Sequence, residues 1–210
     1  AGGDCGSVRA HLKNVSAIYN THRAFAALTE VGSVVTWGDP AAGGDSSAVA
    51  HLLTGHIVRI CGSSAAFAAL TVDGALICWG SDSVGGDASH VVSQVASGVL
   101  AVESNGFAFV AIKEQGGIVT WGYPQFGGNS EAVTEQIAGR KVLTVCSTGV
   151  AFAALLDGGQ VVTWGLGRFG ALGAETSPVL AQELSEGVVA LHGNGGAFVA
   201  LKRCEAFVDK

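Results

Sequence analysis

Short apolar runs separated by glycine recur along the whole chain. Residues 65–72 (AAFAALTV) and 75–80 (ALICWG) flank the pair Asp73-Gly74, and both runs contain residues that favour β-strands. Glycine occupies the left-handed position of a tight turn without steric cost, so this arrangement is typical of a β-hairpin. A third β-rich run precedes each hairpin, as in IVRICGS and KVLTVCS. The pattern therefore predicts small antiparallel meanders of three strands each.

The meanders repeat with a period of about 42 residues, which is typical of a repeat architecture. Each unit has a phenylalanine 12 residues before a Trp-Gly pair. The pairs are Phe25 and Trp37, Phe67 and Trp79, Phe109 and Trp121, and Phe152 and Trp164. Their identical register favours packing in the core of the repeat over a ligand cage. The predicted units are 1–38, 39–80, 81–122, 123–165 and 166–210, and the last one lacks tryptophan.

The apolar spacing changes after the double glycine that follows each tryptophan. Asp45, Asp87 and Asn129 are each followed by an apolar residue four positions later and another eight positions later. Residues four apart lie on one face of a helix, and a short polar side chain before a helix can cap its free amides. These segments are therefore predicted to be short capped helices that connect one meander to the next.

Several of these stretches resemble the regulator of chromosome condensation (RCC1-like) repeat family. They are AFAALTEVGSVVTWG (residues 24–38) and WGLGRFGALG (residues 164–173), the latter followed by Ser177-Pro178-Val179. The resemblance covers essentially the whole chain and implies a β-propeller, usually of seven blades in that family. Alanine stands where the family has histidine, and this variant also resembles repeats common in proteins of dinoflagellate algae.

The expected fold is all-β: a propeller or partial propeller of about five small blades, with about three strands per blade and short helical links. Seven units would need a longer chain, so the alternatives are an open arc and a five-bladed ring. The chain starts at Ala1 in the middle of a unit and contains no methionine. We therefore expect a single repeat domain, 1–210, that is a fragment of, or is processed from, a longer chain.

Composition limits the kinds of partner. Only 13% of residues are charged, and the net charge is −6. The low charge predicts that a partner covers part of the apolar surface, and the lack of a basic cluster argues against nucleic acid. No apolar run reaches the length of a spanning helix, which predicts a soluble chain, although its partner could be a membrane complex.

Candidate chemistry is sparse in this sequence. The five cysteines are scattered without a CxxC pair, and the six histidines show no repeated metal-binding spacing. No catalytic triad or pair of carboxylates can be assembled from spacing. We therefore predict that the chain is not an enzyme and binds neither a cofactor nor a metal.

Positions that differ between units are the best candidates for binding, because the shared positions specify the blade. The four residues after each Trp-Gly pair read DPAA, SDSV, YPQF and LGRF. In these loops Phe126 and Phe169 match the family's own aromatic residue and are expected to be structural. The contact candidates are Asp39, Pro40, Tyr123, Pro124, Gln125 and Arg168.

The predicted function is a non-catalytic protein–protein interaction scaffold, an accessory subunit docked in a larger assembly. Organellar and photosynthetic assemblies are among the candidates, with a chloroplast location after removal of a targeting segment and a cytoplasmic location as the alternative. Family resemblance suggests two other functions. One is guanine-nucleotide exchange on a small GTPase. The other is a propeller-type protein inhibitor, because a secreted β-lactamase inhibitor has the fold that the resemblance implies; this function would need several aromatic residues on one loop face.

Overall fold

The chain forms five antiparallel sheets in sequence, and each sheet is one blade. The structure is a computed structural model that describes residues 3–167 and 178–203. The first strands of the blades are β1 (Val15–Asn20), β4 (Ile57–Gly62), β7 (Val99–Ser104), β10 (Val142–Ser147) and β13 (Val188–Gly193). The second strands are β2 (Ala24–Thr29), β5 (Ala66–Thr71), β8 (Ala108–Lys113), β11 (Ala151–Leu156) and β14 (Phe198–Lys202). The third strands are β3 (Val34–Gly38), β6 (Leu76–Gly80), β9 (Ile118–Gly122) and β12 (Val161–Gly165).

Strands follow one another in each blade in the order first, second, third. Within the described residues the fifth blade has two strands, β13 and β14. The first strands of successive blades contact each other, so they line the inner side of the arc. This arrangement confirms the predicted all-β class and is that of a partial propeller.

The middle strand of each of the first four blades is buried on both faces, which explains the AFAAL pattern. All six residues of β5 are buried. Ala66, Ala68 and Leu70 pack against the third blade, whereas Phe67 and Ala69 pack against the first. A strand that is buried between two apolar layers has a continuous apolar sequence, and its small alanine side chains let neighbouring blades approach closely.

Turn glycines allow adjacent blades to form hydrogen bonds with one another. Gly32, in the β2–β3 turn, has a φ of +77°, and a Cβ on it would lie 3.0 Å from the backbone nitrogen of His56 in the next blade. The Gly32 carbonyl accepts a hydrogen bond from the Ile57 amide at 3.0 Å. The same bond recurs from Val99 to Gly74, from Val142 to Gly116 and from Val188 to Gly159, at 2.9–3.0 Å. Glycine at this position therefore serves both the turn and the contact between blades.

The links between blades contain short helical segments, as expected, but most of them are 3₁₀ rather than α-helical. The 3₁₀ segments are Arg9–His11, Pro40–Ala42, Ser47–Leu52, Asp82–Val84, Ser89–Val91, Pro124–Phe126 and Glu131–Val133. The α-helical segments are α1 (Val92–Val95), α2 (Thr134–Ile137) and α3 (Pro178–Glu183). Segments this short make few intrahelical bonds, so contacts with the blades determine their conformation.

Each link packs against the blade that follows it. Gly43 has a φ of +90°, and a Cβ there would lie 2.7 Å from the Phe67 ring. The Gly43 carbonyl accepts a hydrogen bond of 3.0 Å from the indole nitrogen of Trp79. Trp121 and Trp164 donate in the same way to Gly85 and Gly127, at 3.1 and 3.0 Å. The double glycine is thus a point of close approach between a link and the aromatic pair of the next blade.

Candidate functional site

Two sets of loops meet at one end of the blades, and we call this end the loop face. It combines the loops between first and second strands (21–23, 63–65, 105–107 and 148–150) with the start of each loop that follows a Trp-Gly pair (39–42, 81–84 and 123–126). In the third blade the Tyr123 amide donates to the Phe107 carbonyl at 2.9 Å. In the first blade Asp39 donates to Arg23 in the same way, at 3.0 Å. The residue after each Trp-Gly pair is thereby placed beside the residue 16 positions earlier.

In each of the first three blades a small polar side chain anchors the two loops together. In the third blade Asn105 donates from Nδ2 to the Phe126 carbonyl at 2.7 Å and accepts from the amides of Phe107 and Ala108 at 2.8 Å. Thr21 and Ser63 make equivalent bonds to the carbonyls of Ala42 and Val84, both at 3.0 Å. Sequence reasoning missed these anchors, although a Thr, Ser or Asn recurs three residues before each AF pair.

Backbone bonds also join the loops of neighbouring blades. The amide of His22 donates to the Ser64 carbonyl at 3.0 Å, and Ser64 donates to Gly106 at 3.0 Å. The series continues from Gly106 to Gly149 at 3.2 Å and from Gly149 to Gly195 at 3.1 Å. One hydrogen bond per blade therefore holds the inner rim of the loop face, so its side chains are presented on a connected backbone.

The third blade presents a cluster of aromatic residues on the loop face. The ring of Tyr123 stacks on that of Phe126, with centroids 4.9 Å apart, and Phe107 meets Phe126 edge-on at 4.8 Å. The Tyr123 side chain is 40% exposed. Pro124 and Gln125 beside it are exposed as well. We call Phe107, Tyr123 and Phe126 the aromatic cluster. The sequence predicts Tyr123 as a contact residue and Phe126 as a structural residue of the repeat, but it does not single out Phe107.

The corresponding position in the first blade is polar. Arg23 pairs with Asp39 at 3.0 Å, and Oδ1 of the same carboxylate accepts from the Ala41 amide at 2.9 Å. Pro40 is exposed next to this pair. The Asp39 carboxylate therefore already has two partners within its own blade. The last contact candidate, Arg168, and its neighbour Phe169 lie outside the described residues.

Each aromatic pair of the repeat stacks within one blade, where the second and third strands meet the loop face. Phe25 and Trp37, Phe67 and Trp79, Phe109 and Trp121, and Phe152 and Trp164 all stack, with ring centroids 5.2–5.4 Å apart. The Trp121 side chain is fully buried, and so are Phe67, Phe109 and Phe152. These rings hold a blade together; the pairs of the second, third and fourth blades are buried, whereas Phe25 of the first blade is half-buried.

The inner strands carry the thiols of Cys61 and Cys146 and one ion pair, and the thiol of Cys78 lies on the third strand β6. Burial raises the pKa of Cys61 and of Cys146 to about 11, and that of Cys78 to about 12. These thiols are protonated at neutral pH, whereas nucleophilic cysteines have a lowered pKa. Arg59 of the second blade pairs with Glu103 of the third at 2.9 Å, and burial raises the pKa of that carboxyl against the opposing effect of the arginine. Across the described part of the chain, no group of three or more His, Cys, Asp or Glu side chains could hold a metal ion.

The fold and the loop face define a class of protein, a β-propeller built from short tandem repeats. No protein-family profile matches this chain, and no curated protein sequence is similar to it. Solved structures do match. Human WBSCR16 has a TM-score of 0.56 at 17% identity over 90% of this chain, and Prp20p from Saccharomyces cerevisiae has a TM-score of 0.57 at 15% identity over 89%. The ectodomain of the Physcomitrella patens receptor kinase CR4 has a TM-score of 0.50 at 17% identity over 86%.

Because Prp20 is yeast RCC1, the particular fold of this chain is that of an RCC1-like β-propeller. The matched region covers 58%, 55% and 45% of the chains of WBSCR16, Prp20p and CR4, respectively. At these identities the likeness extends to the fold alone. In the part of the chain that the structure describes, no helix is both long enough and apolar enough to cross a membrane.

Proposed function

We propose that this chain belongs to the regulator of chromosome condensation repeat family and acts as a protein-interaction module, an accessory subunit that docks a partner protein through its loop face. The observation that carries the proposal is the aromatic cluster, which occurs at one of the three loop positions that the structure describes in full. Tyrosine is enriched at binding hot spots, where a rigid aromatic side chain is buried by the partner. Exposed Pro124 and Gln125 would extend the contact surface around Tyr123.

The loop backbone supports this proposal, because it holds the cluster at little conformational cost. The Tyr123 amide and the Asn105 side chain tie the two loops of the third blade together. A preorganised surface loses less conformational entropy when it binds, and therefore retains more of the interaction energy as affinity. Among the matched structures, yeast RCC1 (Prp20) was crystallised bound to Kap60, and Prp20p is described as binding Gsp1p and histones.

The test replaces the cluster with the side chains of the second blade. Tyr123→Ser and Phe126→Val give the third loop the residues that the second loop has at those positions. We expect a tagged wild-type chain, expressed in its source cells, to migrate in a larger complex with a stoichiometric partner, and the double variant to lose that partner. Ser83→Ala, in the exposed part of the second loop, is the matched control and should retain it. If the chain runs as a monomer, or if the double variant keeps the same partner, the proposal fails.

A propeller-type protein inhibitor is the second candidate, because it requires several aromatic residues on one loop face. Phe107, Tyr123 and Phe126 meet this requirement in the third blade. The test measures hydrolysis by a β-lactamase with increasing amounts of the chain. Inhibition by the wild-type chain that is lost with Tyr123→Ser would favour this function over scaffolding. An unchanged rate at a large excess of the chain would exclude that enzyme as the target.

A further inference from the structure

The charges of the described residues are divided unevenly between the two ends of the blades. Arg23 is the only Lys or Arg on the described loop face, and its guanidinium already pairs with Asp39 at 3.0 Å. The carboxylates on the loop face or directly after its outer loops are those of Asp39, Asp45, Asp82, Asp87 and Glu131. At the opposite end, around the turns between second and third strands, both signs occur: Glu30, Asp73, Glu114 and Asp157 lie there with Lys13, Lys113, Arg140 and Lys141.

The loop that carries Asp82 packs against the third blade beside the aromatic cluster. Val84, two residues after Asp82, is buried in the same apolar core as Trp121, and Phe107 packs against that core. The carbonyl of Gly85 also accepts a hydrogen bond of 3.1 Å from the indole nitrogen of Trp121. The Asp82 side chain is exposed and, within the described residues, forms no ion pair with a Lys or Arg. A carboxylate without a counter-charge therefore lies on the loop next to the aromatic cluster.

Two more carboxylates follow the outer loops of the second and third blades. The Gly128 amide donates to the Tyr123 carbonyl at 3.0 Å, which brings the third link back beside the aromatic cluster. Glu131 lies three residues further along this link and is exposed. The Gly86 amide makes the same bond in the second blade at 2.9 Å, and exposed Asp87 follows it directly. The Tyr123 ring is therefore bordered by acidic side chains of two blades.

We infer that the partner of the loop face docks with an arginine-containing segment, whose guanidinium stacks on the Tyr123 ring and pairs with the Asp82 carboxylate of the adjoining loop. This inference rests on the docking function proposed above and adds the chemistry of the partner. A planar guanidinium stacks on aromatic faces and forms two parallel hydrogen bonds with a carboxylate, which an ammonium cannot do. An acidic partner would place like charges opposite each other at this surface and would be rejected.

The probe is a library of random peptides displayed on phage. The library is first depleted on the chain with Tyr123→Ser and Phe126→Val and is then selected on the wild-type chain. We expect the enriched peptides to carry arginine next to an aliphatic or aromatic residue and to lack acidic residues. A fluorescein-labelled synthetic peptide with the most enriched sequence should bind saturably in a fluorescence anisotropy titration. Replacement of its arginines by lysine should weaken binding about fivefold, and replacement by glutamate should abolish it.

Three variants of the chain locate the site of this peptide. Tyr123→Ser removes the ring under the guanidinium and should weaken binding about fivefold. Asp82→Asn removes the counter-charge and should weaken binding about threefold at low salt, with a smaller difference in about 0.5 M NaCl. Asp73→Asn is the matched control, because it changes the net charge equally but lies on an exposed turn at the opposite end of the blades. It should bind as the wild type does, and circular dichroism establishes that each variant is folded.

Selection of acidic or uncharged peptides, or of none, would overturn the inference. Equal losses with Asp82→Asn and Asp73→Asn would also overturn it, because the net charge of the chain would then be responsible. The complex from the source cells separates this failure from that of the docking function. A partner that is lost with Tyr123→Ser and Phe126→Val, but is retained at full occupancy by Asp82→Asn in low and high salt, would leave docking intact and overturn the arginine contact alone. Absence of any partner would overturn the docking function itself.

Discussion

The loops that follow Trp79 and Trp121 share one backbone and present different surfaces. The residue after each Trp-Gly pair is extended, with φ −72° and ψ 123° at Ser81 and φ −70° and ψ 115° at Tyr123. Both loops form one 3₁₀ turn and end in a left-handed glycine, with φ +98° in the second blade and +102° in the third. Yet the second loop carries two serines and an aspartate, whereas the third exposes Tyr123, Pro124 and Gln125.

Buried contacts therefore determine the backbone of these loops and leave the outward side chains free to vary. In both blades the loop amide bonds to the neighbouring loop at 2.9 Å, and a polar anchor bonds to the carbonyl at its far end. The indole of the next blade bonds to the glycine carbonyl in both cases. A binding function can therefore be added to one blade without a change in its fold.

The strongest test of this comparison substitutes a shared residue and a variable residue of the same blade. Trp121→Ala removes a fully buried ring, its stacking on Phe109 and its bond to Gly85. We expect the free energy of unfolding to fall by about 3–5 kcal/mol, as for other buried aromatic truncations. Tyr123→Ala, on the exposed loop, should cost only about 1 kcal/mol for the lost stacking. Urea denaturation followed by circular dichroism measures both, and equal losses would contradict the division into buried scaffold and free surface.

A second test substitutes the glycine that ends the third loop. Gly127→Ala places a Cβ 2.6 Å from the Phe152 ring at a φ of +102°. We expect it to cost about 2–4 kcal/mol in stability, because both backbone strain and overpacking oppose it. Gly117→Ala is the matched control, since a Cβ there has no heavy atom within 4 Å and the backbone is not left-handed. Its cost should stay within about 0.5 kcal/mol by the same denaturation assay. A tolerated Gly127→Ala would show that the link can move away from the next blade.

The sequence was sufficient to predict the blades because their signals are periodic and local. The 12-residue separation of Phe109 and Trp121 is the path along β8, around one turn and back along β9, which the register places side by side. The double glycines were also visible in the sequence, but the reason for them was not. Only the structure shows that Gly43 faces the Phe67 ring of a different blade.

The site was predicted less completely, because its residues come from two loops of a blade. Pairing of Ala108 with Gly122 is what places Phe107 beside Tyr123, and pairing of Ala24 with Gly38 places Arg23 beside Asp39. The two residues brought together are 16 positions apart in each blade, so the register of the predicted hairpin was enough to predict that they are neighbours. The conformation of the links was less accessible. Apolar residues four apart cannot distinguish a 3₁₀ segment from an α-helix over six residues, and contacts with the next blade decide between them.

A third test exchanges the polar anchor between the two blades. Asn105→Ala leaves the buried Ala108 amide without its side-chain acceptor and the Phe126 carbonyl without its donor, so it should cost about 1–3 kcal/mol. Asn105→Ser gives the third blade the anchor of the second, where Ser63 bonds to the Ala66 amide at 3.2 Å and to the Val84 carbonyl at 3.0 Å. We expect serine to recover more than half of the loss in urea denaturation. Serine and alanine variants of equal stability would show that the two loops are not interchangeable.

The smallest expected effect is a difference in acid sensitivity between the second and third loops. Asp87 accepts from the Ser89 amide at 2.8 Å, and this bond, followed by that of the Ser89 hydroxyl, lowers the pKa of the carboxyl. Asn129 makes the same bond to the Glu131 amide at 2.7 Å through an oxygen that does not titrate, and its Nδ2 donates to the Glu131 carboxylate at 3.1 Å. A lowered pKa means that the carboxylate stabilises the folded state above the unfolded pKa of about 3.9 and loses this contribution as the pH falls through the lowered pKa of the folded state.

The reciprocal exchange isolates this titration from the rest of the acid response. Asp87→Asn should reduce the fall in thermal midpoint between pH 6 and pH 3. The double variant Asn129→Asp/Glu131→Ser, which gives the third loop the residues of Asp87 and Ser89 and removes the neighbouring carboxylate, should increase it. Both changes should be small, because the Asp87 carboxylate is fully exposed and water screens its interactions. Thermal melts at the two pH values, in buffers of equal ionic strength, provide the measurement. If the double variant leaves the pH dependence unchanged while Asp87→Asn reduces it, then the charge of His90 near Asp87, and not the capping amide, would be responsible for the difference.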